Sequence, residues 1–149
     1  MREITRLPAG ELEHKAERDE GRIERLLGDA IKRSGRKLVV LDDDPTGVQT
    51  VHDVSVYTDW SEESVLQGFQ EEGNLFYILT NSRGFTEDET KKAHQEIAGN
   101  IVKAARKTGR DFLIMSRGDS TLRGHYPLET QVLRDVLSPV SYTHLTLPT

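Results

Sequence analysis

The chain has 149 residues, 20 Lys+Arg against 25 Asp+Glu for a formal charge of −5, and no cysteine. That length allows one domain with a real core, while the lack of thiols removes a disulfide framework and any thiolate metal site. No basic block offsets the acidic balance, which argues against nucleic acid. No run approaches the roughly 18 apolar residues of a membrane span, and the first residues form no apolar leader, so the default location is the cytoplasm.

Residues 1–36 read as an arm followed by a helix. The arm is charged and aperiodic. From Arg22 to Arg33 the apolar positions Ile23, Leu26, Leu27, Ala30 and Ile31 make one helical face, with Gly35 placed to end it. Lys37 to Leu41 is a continuous apolar, β-branched run, the pattern of a strand covered on both faces. The following loop, 42–52, is too short for a crossover helix. Val54 to Thr58 alternates as a second strand. Ser61 is an N-cap with Ser64 at N3, opening a helix that Gly73 ends.

Leu75 to Leu79 is a third strand. Thr86-Glu87-Asp88-Glu89 is a capping box opening the longest helix. Ala93, Ile97, Ile101 and Ala104 form its buried stripe, and Gly109 closes it. Asp111 to Met115 is a fourth strand, and Pro127 suits the first position of a last helix that Pro139 stops. Strands alternating with helices predict an α/β domain over 37–138. Its architecture is a mostly parallel sheet with helices on both faces, a truncated three-layer arrangement. Residues 139–149 carry no charge, continue no pattern, and read as a non-native tail.

Three polar clusters each follow an apolar strand: Asp42-Asp43-Asp44-Pro45-Thr46-Gly47, Thr80-Asn81-Ser82-Arg83-Gly84, and Ser116 to His125. Ligands of open α/β sheets bind beyond the carboxyl ends of the strands, so the clusters are expected to share one crevice. Three adjacent carboxylates repel one another and need a cation, a polyol, arginines or water to offset the cost. Alternation lets at most two of them face one ligand. Thr46 adds a hydroxyl. Asn81 and Arg83 add an amide and a planar fork suited to a carboxylate or phosphate.

The ten residues from Ser116 to His125 hold two guanidiniums, one carboxylate, three hydroxyls, two glycines and an imidazole, too dense a set for a core element. The resulting candidate substrate-binding set is Asp43, Asp44, Thr46, Asn81, Arg83, Ser116, Arg117, Asp119, Ser120 and Arg123. It suits a small, hydroxylated, anionic molecule, and Asp44 with Asp43 are the candidate catalytic carboxylates. No residue is assigned to a metal. His125 is read as a cap of the last helix, and His14, His52, His94 and His144 as surface residues. Trp60 and Tyr57 are read as packing.

At these residues the chain resembles the N-terminal domain of the four-carbon acid sugar kinases, which include threonate, erythronate and 3-oxo-tetronate kinases. Asp43-Asp44-Pro45-Thr46-Gly47 is similar to that family's Asp-Asp-x-Thr-Gly motif, Thr80 to Arg83 to its second motif, and Ser116 to His125 to its third. The likeness runs from about Lys37 to Leu137. It implies an ATP-dependent, Mg2+-requiring kinase that phosphorylates a hydroxyl of a four-carbon sugar acid. The N-terminal domain would hold the acid, and a C-terminal domain, outside the present sequence, the nucleotide. No Gly-x-x-x-x-Gly-Lys-Ser/Thr loop occurs here. The sequence given is therefore expected to bind but hardly to turn over. Pro45 replaces the Phe common in the characterised kinases, which leaves the substrate open, as the oligomeric state is.

Two other readings remain. Asp42-x-Asp44-x-Thr46 after an apolar strand also fits the nucleophile motif of a haloacid-dehalogenase-type phosphatase, with Asp42 attacking, Asp44 as acid/base, and Thr80 or Ser116 as the second hydroxyl. A non-enzymatic sugar-acid binding module fits the same residues.

Overall fold

The computed structural model describes residues 19–119 and 123–137. The chain divides into two compact units, Met1–Ser34 and Gly35–Thr149. In the first, α1 spans Glu20–Ser34. It starts slightly earlier than its apolar periodicity suggests because Asp19 caps it: Arg22 N donates to Asp19 Oδ1 at 2.9 Å. Gly35 has φ +61°, the left-handed turn expected just after a helix. The arm before residue 19 and the tail 139–149, with His14, Pro139 and His144, lie outside the described residues.

The second unit is built on β1 (Lys37–Asp42), β2 (Ser55–Tyr57), β3 (Leu75–Leu79) and β4 (Phe112–Arg117), in the order β2-β3-β1-β4. Every pairing is parallel. This is the α/β class the alternating pattern predicts. β2 pairs with β3 at the edge and not with β1, so the short 43–54 connection leads past a neighbour instead of forming a hairpin.

Helices α2 (Glu62–Gln70), α3 (Glu87–Thr108) and α4 (Leu128–Leu137) pack in a row, α2 on α3 and α3 on α4. One apolar cluster joins them to the sheet. Val39, Leu41, Phe76 and Ile78 meet Val65 and Phe69 of α2, Ile97, Ala98 and Ile101 of α3, and Leu133 and Leu137 of α4. Since strand side chains alternate, Leu38, Val40 and Asp42 of β1 point to the opposite face.

The helix caps follow the local code. Ser61 Oγ accepts from Ser64 N at 3.2 Å, and Thr86 and Glu89 exchange both bonds of a capping box. Gly109, at φ +65°, ends α3. α2 stops at Gln70 rather than at Gly73. The carbonyl of Glu71 beyond its end accepts from Lys37 Nζ at 2.8 Å and from Arg110 Nη1 at 3.0 Å. β4 runs on to Arg117, two residues beyond the span expected from apolar character, because it pairs with β1 along that strand's whole length.

His94 corrects the sequence reading. It is fully buried, with Nδ1 2.8 Å from the carbonyl of Thr90, and lies on the stripe it shares with Ile97, Ala98 and Ile101. His52 is a surface residue, as read. Trp60 and Tyr57 pack against the core cluster, also as read.

Candidate functional site

The parallel register carries β1, β3 and β4 to a common edge, and main-chain bonds continue past it. Thr80 N donates to Asp42 O at 2.8 Å, Asp43 N to Arg117 O at 3.3 Å and Arg83 N to Asp43 O at 3.4 Å. The strand-end loops of all three are therefore neighbours on one rim. Asn81 takes a left-handed conformation, φ 53° and ψ 25°, which Asn tolerates better than most residues. After this turn Ser82 is buried while Arg83 reaches the β1 carboxylates.

The three aspartates part company. Asp43 and Asp44 gather around Arg83. Its Nε and Nη2 form a fork on Asp43 at 3.3 and 3.0 Å, and Nη1 reaches Asp44 Oδ2 at 2.6 Å. The main-chain N–H of Asp119 donates to Asp43 Oδ2 at 2.9 Å, bringing in the β4 loop. Asp119 in turn pairs with Arg123 Nη2 at 2.6 Å. Arg123 remains 69% exposed while Arg83 is only 23% exposed, so of the two it is Arg123 that faces solvent.

Asp42 belongs to the other side of the sheet. It is fully buried, and its Oδ1 accepts from Arg117 Nη1 at 3.1 Å. Its Oδ2 has no hydrogen-bond partner among the described residues. Gly47 closes over this pair. A Cβ there would overlap both Asp42 Oδ2 and Arg117 Nη1, so this turn takes glycine for want of space. Burial pushes the Asp42 carboxyl above its ordinary value, against the pull of the Asp44 N–H and of Arg117. Asp44 is held below the usual carboxylate range by hydrogen bonds from the Thr46 hydroxyl and N–H, then by the charges of Arg83 and Arg123.

The structure thus brings Asp43, Asp44, Thr46, Asn81, Arg83, Asp119 and Arg123 onto one rim. Arg117 is turned to Asp42, and Ser116 sits within β4 opposite Leu41. Ser120 lies outside the described residues. His125, read from sequence as a helix cap, does accept Glu129 N through its carbonyl at 3.3 Å, but its ring is 2.9 Å from Phe85 O on the β3 loop.

Glu129 was not singled out by sequence. It is buried at the first turn of α4 and accepts from the Ser82 hydroxyl at 3.0 Å. Its signal was a carboxylate in phase with the apolar stripe Val132, Leu133 and Leu137. Among the described residues no group of three or more His, Asp or Glu is arranged to hold a metal ion. At Asp42, Asp43 and Asp44 the compensating cation is an arginine. No described helix is long and apolar enough to cross a membrane.

No curated protein and no solved structure matches the chain. A family model described as sugar-binding N-terminal domain matches residues 38–149, from the second residue of β1 through all three rim loops. A rim of arginines, carboxylates and hydroxyls is suited to a sugar or sugar acid, and the chain belongs to the sugar-binding N-terminal domain family.

Proposed function

We propose that this chain is the sugar-acid-binding part of an ATP-dependent kinase acting on a four-carbon sugar acid of the threonate, erythronate or 3-oxo-tetronate type. The observation that carries the reading is the Arg83 network: two carboxylates locked on one arginine, with the solvent-facing guanidinium of Arg123 beside them. Arg123 supplies the fork for the ligand's carboxylate. Asp44, oriented by Arg83, accepts from its hydroxyls, while the buried Asp43 holds Arg83 and the β4 loop in place, with Thr46 and Asn81 at the edge.

Asp44 is the proposed proton acceptor. Thr46 and Arg83 keep it ionised, so it accepts the hydroxyl's hydrogen bond and, being a weak base, takes the proton only as the forming O–P bond makes that hydroxyl acidic. ATP and Mg2+ do not fit the described rim, which has no grouped metal ligands and no glycine-rich phosphate loop. In this reading both belong to residues beyond those described. The burial of Asp42 and its pairing with Arg117 weigh against the phosphatase reading, which needs that carboxylate free to attack.

The family description itself speaks of sugar binding, which a module without turnover also satisfies. Release of ADP by the full-length gene product, supplied with Mg-ATP and each four-carbon acid, separates the two. The kinase reading expects acid-dependent release, with Asp44→Asn lowering kcat far more than it raises KM. Binding of the acids without ADP release would leave the binding module.

A further inference from the structure

Glu129 stands behind the rim, not on it, at 3% exposure. Its Oε1 accepts a hydrogen bond from Ser82 Oγ, and Ser82 Oγ lies 3.0 Å from Thr80 Oγ1. A hydroxyl has one proton, so with Ser82 donating to Glu129, the Ser82 lone pairs are turned to Thr80. The Thr80 hydroxyl lies equally 3.0 Å from the Asp42 carbonyl, which also accepts from Thr80 N at 2.8 Å, so the Thr80 proton is shared between Asp42 O and Ser82 Oγ and ties this chain to the end of β1. On its other side Glu129 lies against the β4 loop, where a Cβ on Gly118 would come within 2.8 Å of Oε2.

Ser82 immediately precedes Arg83, and Gly118 immediately precedes Asp119. Those two residues deliver the guanidinium and the main-chain N–H that converge on the Asp43 carboxylate. Glu129 therefore braces both loops one residue behind the groups they present. Burying a carboxylate costs several kcal/mol before its partners offset it, so packing alone would favour an apolar side chain at this position of the helix.

We propose that Glu129 is a positioning residue of the sugar-acid site. Through the Ser82 hydroxyl and the Gly118 main chain, it sets the separation of the β3 and β4 loops at which Arg83 and Asp119 meet on Asp43. The ligand named here rests on the proposed function; the geometry does not.

The test compares Glu129→Gln, which keeps an oxygen acceptor for Ser82, with Glu129→Ala, which removes it. The first measurement needs no ligand. It is the Arg83 Nε–H resonance in proton–nitrogen correlation spectra, assigned by its loss in Arg83→Lys and slowed in exchange by the fork on Asp43. The proposal expects that resonance to persist in Glu129→Gln and to shift and exchange fast in Glu129→Ala. Circular dichroism checks that the fold is retained. The second measurement is calorimetric affinity for erythronate well below the unfolding midpoint. About a tenfold loss is expected in the Ala variant, the size of one hydrogen bond to a charged group, with near-normal binding in the Gln variant. If Glu129→Ala does not fold, Ser82→Ala breaks the same link and is read the same way. An unchanged Arg83 resonance in the folded variant, or no slowed resonance in the wild type, overturns the proposal. A responsive resonance in a protein that binds no sugar acid leaves the brace standing and removes the functional reading instead.

Discussion

Arg83 grips Asp43 across 40 positions of sequence, with Nε and Nη2 both engaged on the one carboxylate. Asp43 is almost wholly buried, so this guanidinium is its compensating charge. Removing one member of a buried pair typically costs about 3–5 kcal/mol, because the other is left uncompensated. Arg83→Met is expected to fall near the lower end, since Arg83 retains some exposure. Urea unfolding measures this. Adding Asp43→Asn should recover part of the loss, and a double variant no better than Arg83→Met would mean that the pair does not hold the rim.

The turn at Gly47 yields a separate expectation. Gly47→Ala places a methyl group on the Asp42–Arg117 pair. Arg117 can swing away because its side chain is 44% exposed, but Asp42 is fully buried and short. The pair should break at a cost of about 1–3 kcal/mol, the range for overpacking. Thermal unfolding with unchanged Tm would contradict the crowding at this turn.

His94 imposes a pH dependence. Burial lowers its pKa below the ordinary 6.5, with Glu129 pulling upward and His125 downward. The unfolded chain therefore takes up a proton at higher pH than the folded one. The stability contributed by the neutral ring is complete above about pH 6.5 and is lost as pH falls from there towards the lowered folded value. Replacing the ring with a neutral amide, His94→Gln, should flatten this part of the stability–pH curve even if it lowers the whole curve. Parallel curves for the two proteins would show that His94 is not the group responsible.

What could be read from sequence was local chemistry. Ser61 with Ser64, Thr86 with Glu89, and the glycines at 35 and 109 each act within a few residues of themselves, so a short window contains the whole cause. The strand-end polar clusters were legible for a similar reason, because an apolar run that stops at charge marks where burial ends. Pairings were not. Periodicity says which face of β2 is apolar but not that β3 is its neighbour. Arg83 reads as a ligand's partner because Asp43 and Asp44 lie so far back in the chain. Lys37 reads only as the first residue of a strand, with nothing said of its charge, yet it is fully buried, with its Nζ donating to the Glu71 and Gly73 carbonyls. His94 and Glu129 do carry a signal: each occupies a position in phase with a buried stripe, where a polar side chain is unexpected and therefore informative.

The central claim is that this rim binds a small hydroxylated acid and reads its carboxylate through Arg123. Calorimetric titration with erythronate and threonate, beside a neutral four-carbon polyol, tests it most directly. The account expects the acids to bind, the polyol not to, and Arg123→Ala to weaken acid binding by roughly 1.5–3 kcal/mol, as for a hydrogen bond to a charged group. Equal binding of acid and polyol, or an affinity untouched by Arg123→Ala, would contradict it.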